Sequence, residues 1–166
     1  MNNPDSLLLA KTLHSTRQLT GFYLKHAEGL DVQKRFTIGN FETNSIHWIV
    51  AHLAWGENFL ILKGVGNQPM EVKWLEHFKI GSPYPAESAF PDFKETVQTF
   101  NQVHDLAVEI VKNLSAEGLQ QPNHTKLEFG GGNSNEALLR HAIRHEGMHA
   151  GLLSWLLRMH GVKKII

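Results

Sequence analysis

The chain has 166 residues, with 16 basic and 16 acidic side chains, 11 histidines and no cysteine. Balanced charge gives no support for a nucleic-acid partner, and the lack of cysteine excludes disulfides, thiolate metal sites and a Cys nucleophile, leaving His, Asp and Glu as metal ligands. The length suits one domain over residues 1–166 with a core of its own.

The start of the chain lacks a basic n-region, and the apolar run Leu7-Leu8-Leu9-Ala10 is too short for a secretory segment. No stretch approaches the roughly 18 apolar residues of a membrane span, so the expectation is a soluble, cytoplasmic protein with no membrane partner. Asn3-Pro4 sets a helix start with proline at the first helical position. Leu8, Leu9, Thr12, Leu13, Leu19, Phe22, Tyr23 and Leu24 then give an apolar face running to about Glu28, where Gly29 offers a stop. Residues 30–43 carry no helical period and read as a connection.

A second helix is capped within Thr43-Asn44-Ser45 and runs to Lys63-Gly64. His52 falls in its apolar column with Ile49 and Phe59. His47 is rotated from it by about 140° and is expected at a helix edge or in solvent. Residues 64–89 are long for a connection, and loops of that length are functional or bridge distant ends. One short helix is predicted near residues 71–78, with Trp74 and Phe78 packed on the bundle.

A third helix is predicted from about Pro91 to Leu114, with Phe100, His104, Ala107 and Val111 on its inner side. Residues 115–132 form a second irregular connection. It ends in Gly130-Gly131-Gly132, which no GK[ST] follows and which is therefore not a phosphate-binding loop. Asn133 or Ser134 caps the fourth helix, Glu136 completing a capping-box spacing from Asn133. Four long helices with few strand signals predict an all-α, four-helix bundle.

The fourth helix carries His141, His145 and His149 at intervals of four. Neighbours in such a series lie about 6 Å apart along the axis and the outer two about 12 Å, so at most one adjacent pair can share an ion. The seam Leu138, Ala142, His145, His149, Leu152 and Leu156 turns His145 and His149 inward and leaves His141 on the flank with Met148 and Trp155. Imidazoles in an apolar seam are costly without partners. A catalytic metal site takes three protein ligands and keeps one position open. His52 is the first candidate for the third ligand and His104 the second.

The segment His145-Glu146-Gly147-Met148-His149 also spells the HExxH pattern of zinc proteases. Its extension fails, because Leu152 and Trp155 stand where that pattern needs Gly and His, and the preceding strand framework is missing. Glu146, about 100° around the helix from His145, is a candidate base or a partner of the ligands.

With Ile46-His47-Trp48-Ile49-Val50-Ala51-His52-Leu53 in helix two, a long crossover, and His145-Glu146-Gly147-Met148-His149-Ala150-Gly151 in helix four, the chain resembles the DinB-like (also YfiT-like) metalloenzyme superfamily. The resemblance implies an up-down-down-up bundle with a long crossover between helices 2 and 3. It also implies one divalent ion, nickel or zinc, on the positions matching His52, His145 and His149. The activity it implies is thiol S-transfer or isomerisation using bacillithiol, mycothiol or glutathione. Where family members commonly follow the motif with Gly-Gln, this chain has Gly151-Leu152.

Three functions compete. The first is a metal-dependent S-transferase joining a low-molecular-weight thiol to a small electrophile. The second is a metal-dependent hydrolase with Glu146 assisting bound water. The third is a non-catalytic metal- or ligand-binding bundle, with a homodimer as its candidate assembly.

Overall fold

The computed structural model describes residues 3–163 and 165; Met1, Asn2, Lys164 and Ile166 of the expected 1–166 domain lie outside them. Among the described residues there are five α-helices: α1 (Pro4–Lys25), α2 (Ile46–Glu57), α3 (Phe93–Lys112), α4 (Ala116–Gln120) and α5 (Asn135–Met159). Between α1 and α2, β1 (Thr37–Ile38) and β2 (Phe41–Glu42) pair in a minimal antiparallel hairpin within the stretch expected to be plain connection. Among the described residues no helix is long and apolar enough to cross a membrane.

Local chemistry sets the helix limits. The Asn3 side chain accepts from Asp5 N with Pro4 at the first position, Ser45 accepts from Trp48 N, and Asp92 accepts from Lys94 N. Helix α5 is capped by Ser134, which accepts from Ala137 N. The expected capping box from Asn133 is not formed, because Glu136 bonds to Arg140 and Gln120 instead. Beyond Glu57 the backbone of α2 widens into π turns over Asn58–Lys63, with Gly64 N bonding to Phe59 O at 3.1 Å and Gly66 N to Ile61 O at 2.9 Å. The Asn58 amide then clamps Met70, donating to its carbonyl at 3.1 Å and accepting from its N–H at 2.8 Å, which ties the long connection back to the helix. The predicted short helix is a 3₁₀ turn, Lys73–Phe78.

Two apolar clusters fix the topology. One joins Ala10 and Leu13 of α1 to Leu138, Leu139 and Ala142 early in α5, to Val103, Ala107 and Val111 late in α3, and to Leu60–Leu62 at the end of α2. The other joins Tyr23, Leu24 and Ala27 to Leu153, Leu156 and Leu157 late in α5, to Val97 and Phe100 early in α3, and to Ile46, Ile49 and Leu53 early in α2. Helices α1 and α5 therefore run one way and α2 and α3 the other, an up-down-down-up bundle with its long crossover between α2 and α3.

Two helical faces differ from expectation, for one reason. The buried line of α1 is Ser6, Ala10, Leu13, Arg17 and Thr20, while Leu8, Leu19 and Phe22 are exposed. On α5 the buried line passes through Ala142, Glu146, Ala150, Leu153 and Leu157, leaving Leu152 half exposed at 50 %. Arg17 and Glu146 bond to each other in the interior, so polar side chains occupy positions that an apolar pattern assigns to the surface. His145 and His149 are accordingly half-buried and flank the innermost line instead of lying in it.

Candidate metal centre

His52 on α2 and His145 and His149 on α5 each present one ring nitrogen such that the three lie within 4.8 Å of one another. Antiparallel packing of α2 against α5 brings them to one level. The His52 and His145 Nε2 atoms are 3.1 Å apart, and the centroid of the His149 ring is 4.9 Å from that of His52 and 4.6 Å from that of His145. Two nitrogens on a tetrahedral zinc with bonds of about 2.0–2.1 Å sit about 3.3–3.4 Å apart, so small ring movements suffice to seat an ion.

The surroundings hold the imidazoles in the ligand form. His52 Nδ1 donates to the Phe78 carbonyl at 2.6 Å, which fixes the tautomer and leaves the Nε2 lone pair directed at His145. That carbonyl comes from the 3₁₀ turn of the long connection, so residues 73–78 both cover the core and orient the centre. The His52 ring lies between Trp48 and Trp55, at 4.6 and 5.6 Å between centroids. His149 Nδ1 is buried with no hydrogen-bond partner, an orphaned ring nitrogen beside the other two imidazoles. Burial, then the neighbouring His149, His52 and His141, lowers the His145 pKa to about 3. Burial, then His52, lowers that of His149 to about 4, and burial lowers that of His52. Neutral imidazole is the form that binds a metal, so this donor set fits a divalent ion.

The other sequence candidates lie elsewhere. His141 stacks on Phe129 at 3.7 Å between centroids, one turn before His145. His104 is buried in a second polar cluster, where its Nδ1 donates to Glu57 Oε1 at 2.9 Å and its Nε2 shares a 3.2 Å hydrogen bond with His14 Nδ1. Glu146 is buried in the same cluster: Arg17 Nε donates to its Oε1 at 2.6 Å, Arg17 Nη2 to its Oε2 at 3.2 Å, and Thr20 to Oε1 at 2.9 Å. Arg17 Nη2 also donates to Glu57 Oε2 at 2.6 Å and Nη1 to the Phe100 carbonyl at 2.7 Å, with the guanidinium over the Phe100 ring. His47, expected at a helix edge, is 1 % exposed, with Nε2 2.8 Å from Thr96 Oγ1 and its ring against Phe90 and Phe93. The residue that buries it, Phe90, belongs to a crossover whose path the pattern of helix two does not report.

Sequence reasoning missed the Phe78 carbonyl, the Arg17–Glu57 pair and Gly56. A Cβ at Gly56 would lie 2.9 Å from His145 Cε1 and 3.3 Å from Nδ1, so the imidazole rests on bare backbone there. For Arg17 a signal existed: Ser6, Ala10, Leu13, Arg17 and Thr20 follow the 4-3-4-3 spacing of a core seam.

Two cavities lie along α2. One, about 370 Å³, lies between Trp55, Phe59 and Lys63 and the connection around Met70, Val72 and Leu75. The other, about 350 Å³, is apolar and lies between Ile49 on α2, Leu152, Trp155 and Leu156 on α5, and Phe41 of the hairpin.

No curated relative matches the chain. Its sequence does match a family, over residues 15–153, which span the bundle from the middle of α1 to late α5 and include all three clustered histidines; the chain belongs to the DinB superfamily.

Proposed function

We propose that the chain binds one divalent ion, nickel or zinc, through His52, His145 and His149 and uses it in S-transfer from a low-molecular-weight thiol to a small electrophile. The observation that carries the reading is the convergence of three neutral imidazoles, one of them with an orphaned buried nitrogen. A bound ion would supply the charge that lowers the thiol pKa and holds the sulfur as thiolate.

The chain's own residues do the rest. Phe78 and Gly56 set the orientation of His52 and His145, and the Trp48 and Trp55 rings keep water from the face of His52. Trp55 also lines the cavity under the connection, which supports that cavity as the binding place for the electrophile. With no cysteine in the chain, the nucleophilic sulfur comes from outside. Glu146 serves as support for the ligands instead of as a base, because Arg17 and Thr20 already hold both its oxygens. This weighs against the hydrolase.

The test is a screen of the metal-loaded protein against epoxides, enones and alkyl halides, with and without glutathione, bacillithiol or cysteine. Thiol-dependent turnover is expected, together with loss of metal and turnover in His52→Ala. Equal turnover without thiol would replace the transferase by the hydrolase, and tight ligand binding without turnover by the non-catalytic bundle.

A further inference from the structure

Behind the three histidines lies a polar cluster with more buried carboxylates than permanent cations. Two carboxylates, Glu57 and Glu146, face one permanent cation, Arg17, and the side chains of all three are buried to within a few per cent of exposure. Burial works to raise the Glu57 pKa, but Arg17 and then His104 outweigh it and hold the group below the usual carboxylate range. For Arg17, burial opposes the charge and the two carboxylates more than restore it. A buried carboxylate is expensive unless something positive or strongly donating faces it, and here Arg17, His104 and Thr20 reach all four oxygens.

On another side the two carboxylates border a void. A cavity with about 10 Å³ of room lies between Glu57, Glu146 and His145, its other walls being Leu13, Leu53, Leu60 and Ala142. That is close to the space one water needs, and a buried water needs two to four polar partners. The walls supply the two carboxylates and one imidazole. His145 has Nε2 directed at His52, and its Nδ1 has no hydrogen bond to any described residue.

Resting on the reading of His52, His145 and His149 as metal ligands, we propose that Glu57 and Glu146 are positioning residues for that site, linked to His145 Nδ1–H through one water in the void and supplying the negative charge that complements the dication. Arg17 sets the size of that charge by cancelling one carboxylate. Carboxylates behind a ligating histidine fix its tautomer and raise its basicity, and removing such a partner weakens metal binding about 10- to 100-fold. The partner of His52 Nδ1, the Phe78 carbonyl, does the same work for the other helix with no charge.

The experiment compares zinc affinity, by titration against a chelating dye, in the wild type, Glu57→Gln and Arg17→Met/Glu57→Gln, with circular dichroism and urea unfolding of each metal-free protein. Glu57→Gln leaves one carboxylate against Arg17 and should bind zinc about 10- to 100-fold more weakly. The double variant again has one uncompensated carboxylate, Glu146, and should recover to within about threefold of the wild type. A network that mattered only for rigidity gives the opposite order, because the double variant loses more links. If Glu57→Gln does not fold, a folded double variant with weakened zinc binding overturns the proposal. So does a folded Glu57→Gln with wild-type affinity. A wild type that binds no zinc overturns the metal reading itself, an outcome distinct from either.

Discussion

Helices α2 and α5 each carry residues of two polar clusters that differ in one respect. In the Arg17 cluster the donors and acceptors are matched: Arg17 reaches Glu57, Glu146 and Phe100, His104 reaches Glu57, and Thr20 reaches Glu146. In the His52 cluster the hydrogen bonding is incomplete, since His149 Nδ1 has no partner. Buried polar groups are ordinarily satisfied, so the incomplete cluster reads as the place for a ligand and the complete one as the frame behind it. The physical content of that contrast is that the two clusters should respond differently to the same kind of damage.

The largest response is expected from Arg17. Arg17→Ala leaves two buried carboxylates without their cation, and breaking a buried pair in this way costs about 3–5 kcal/mol. For a domain whose total stability is of the order of 5–15 kcal/mol, urea unfolding should show a large fall in midpoint. His52→Ala in the metal-free protein should show a much smaller change while abolishing metal uptake. Equal losses of stability in the two variants would erase the distinction between the clusters.

A pH dependence of comparable size is expected from His47, a third buried imidazole that belongs to neither cluster. Thr96 Oγ1 donates to the Asp92 carbonyl, so it accepts from His47 Nε2–H, and His47 Nδ1 is left buried without a partner. Protonation would place a charge there, and burial, only partly offset by Asp92, lowers the pKa to about 4. The unfolded chain has the ordinary value of about 6.5, so between those values it binds more protons than the native state. The contribution is fully present above pH 6.5 and is lost as pH falls toward 4, reaching about 3 kcal/mol. Comparing unfolding free energies of the wild type and His47→Gln across that window should show a shallower slope in the variant.

Gly56 connects the comparison to local geometry. Gly56→Ala adds a Cβ 2.9 Å from His145 Cε1, so the ring must move by a few tenths of an ångström. Alanine is the better helix former by up to about 1 kcal/mol, so metal-free stability should hold or rise. Zinc affinity should fall about tenfold, the lower end of the range for a disturbed outer partner. A variant that loses stability and keeps affinity would mean that His145 is free to reorient.

The sequence carried the bundle and the three histidines because both depend on spacing along single helices. Its errors on α1 and α5 arise where the core is not apolar. Arg17, Thr20 and Glu146 take inward positions because they satisfy one another, so a hydrophobic count moves the apparent face toward Leu19, Phe22 and Leu152. Phe78 and Gly56 were not legible for a different reason. One acts through a backbone carbonyl and the other through the lack of a side chain, and neither has a residue-type signature. Both positions depend on how the crossover and α2 meet α5, which is tertiary information.

The smallest effect is expected at His141, and it tests where on α5 the centre lies. His141 precedes His145 by one turn, and its ring is 6.1 Å from that of His145, a separation at which two imidazoles on one helix can be adjacent ligands. Its surroundings argue otherwise. The backbone turns through positive φ at Gly130 and Gly131 and brings Phe129 back over α5, where it stacks on His141 with an interplanar angle of 12°. The clustered nitrogens of His52, His145 and His149 lie on the far side of His145 from this stack. His141→Ala should therefore retain one equivalent of metal by elemental analysis and bind zinc within about twofold of the wild type. Its cost is the lost stacking, about 0.5–1.5 kcal/mol. Loss of the metal in His141→Ala with retention in His149→Ala would move the ion one turn toward the start of α5, away from Trp48 and toward Phe129.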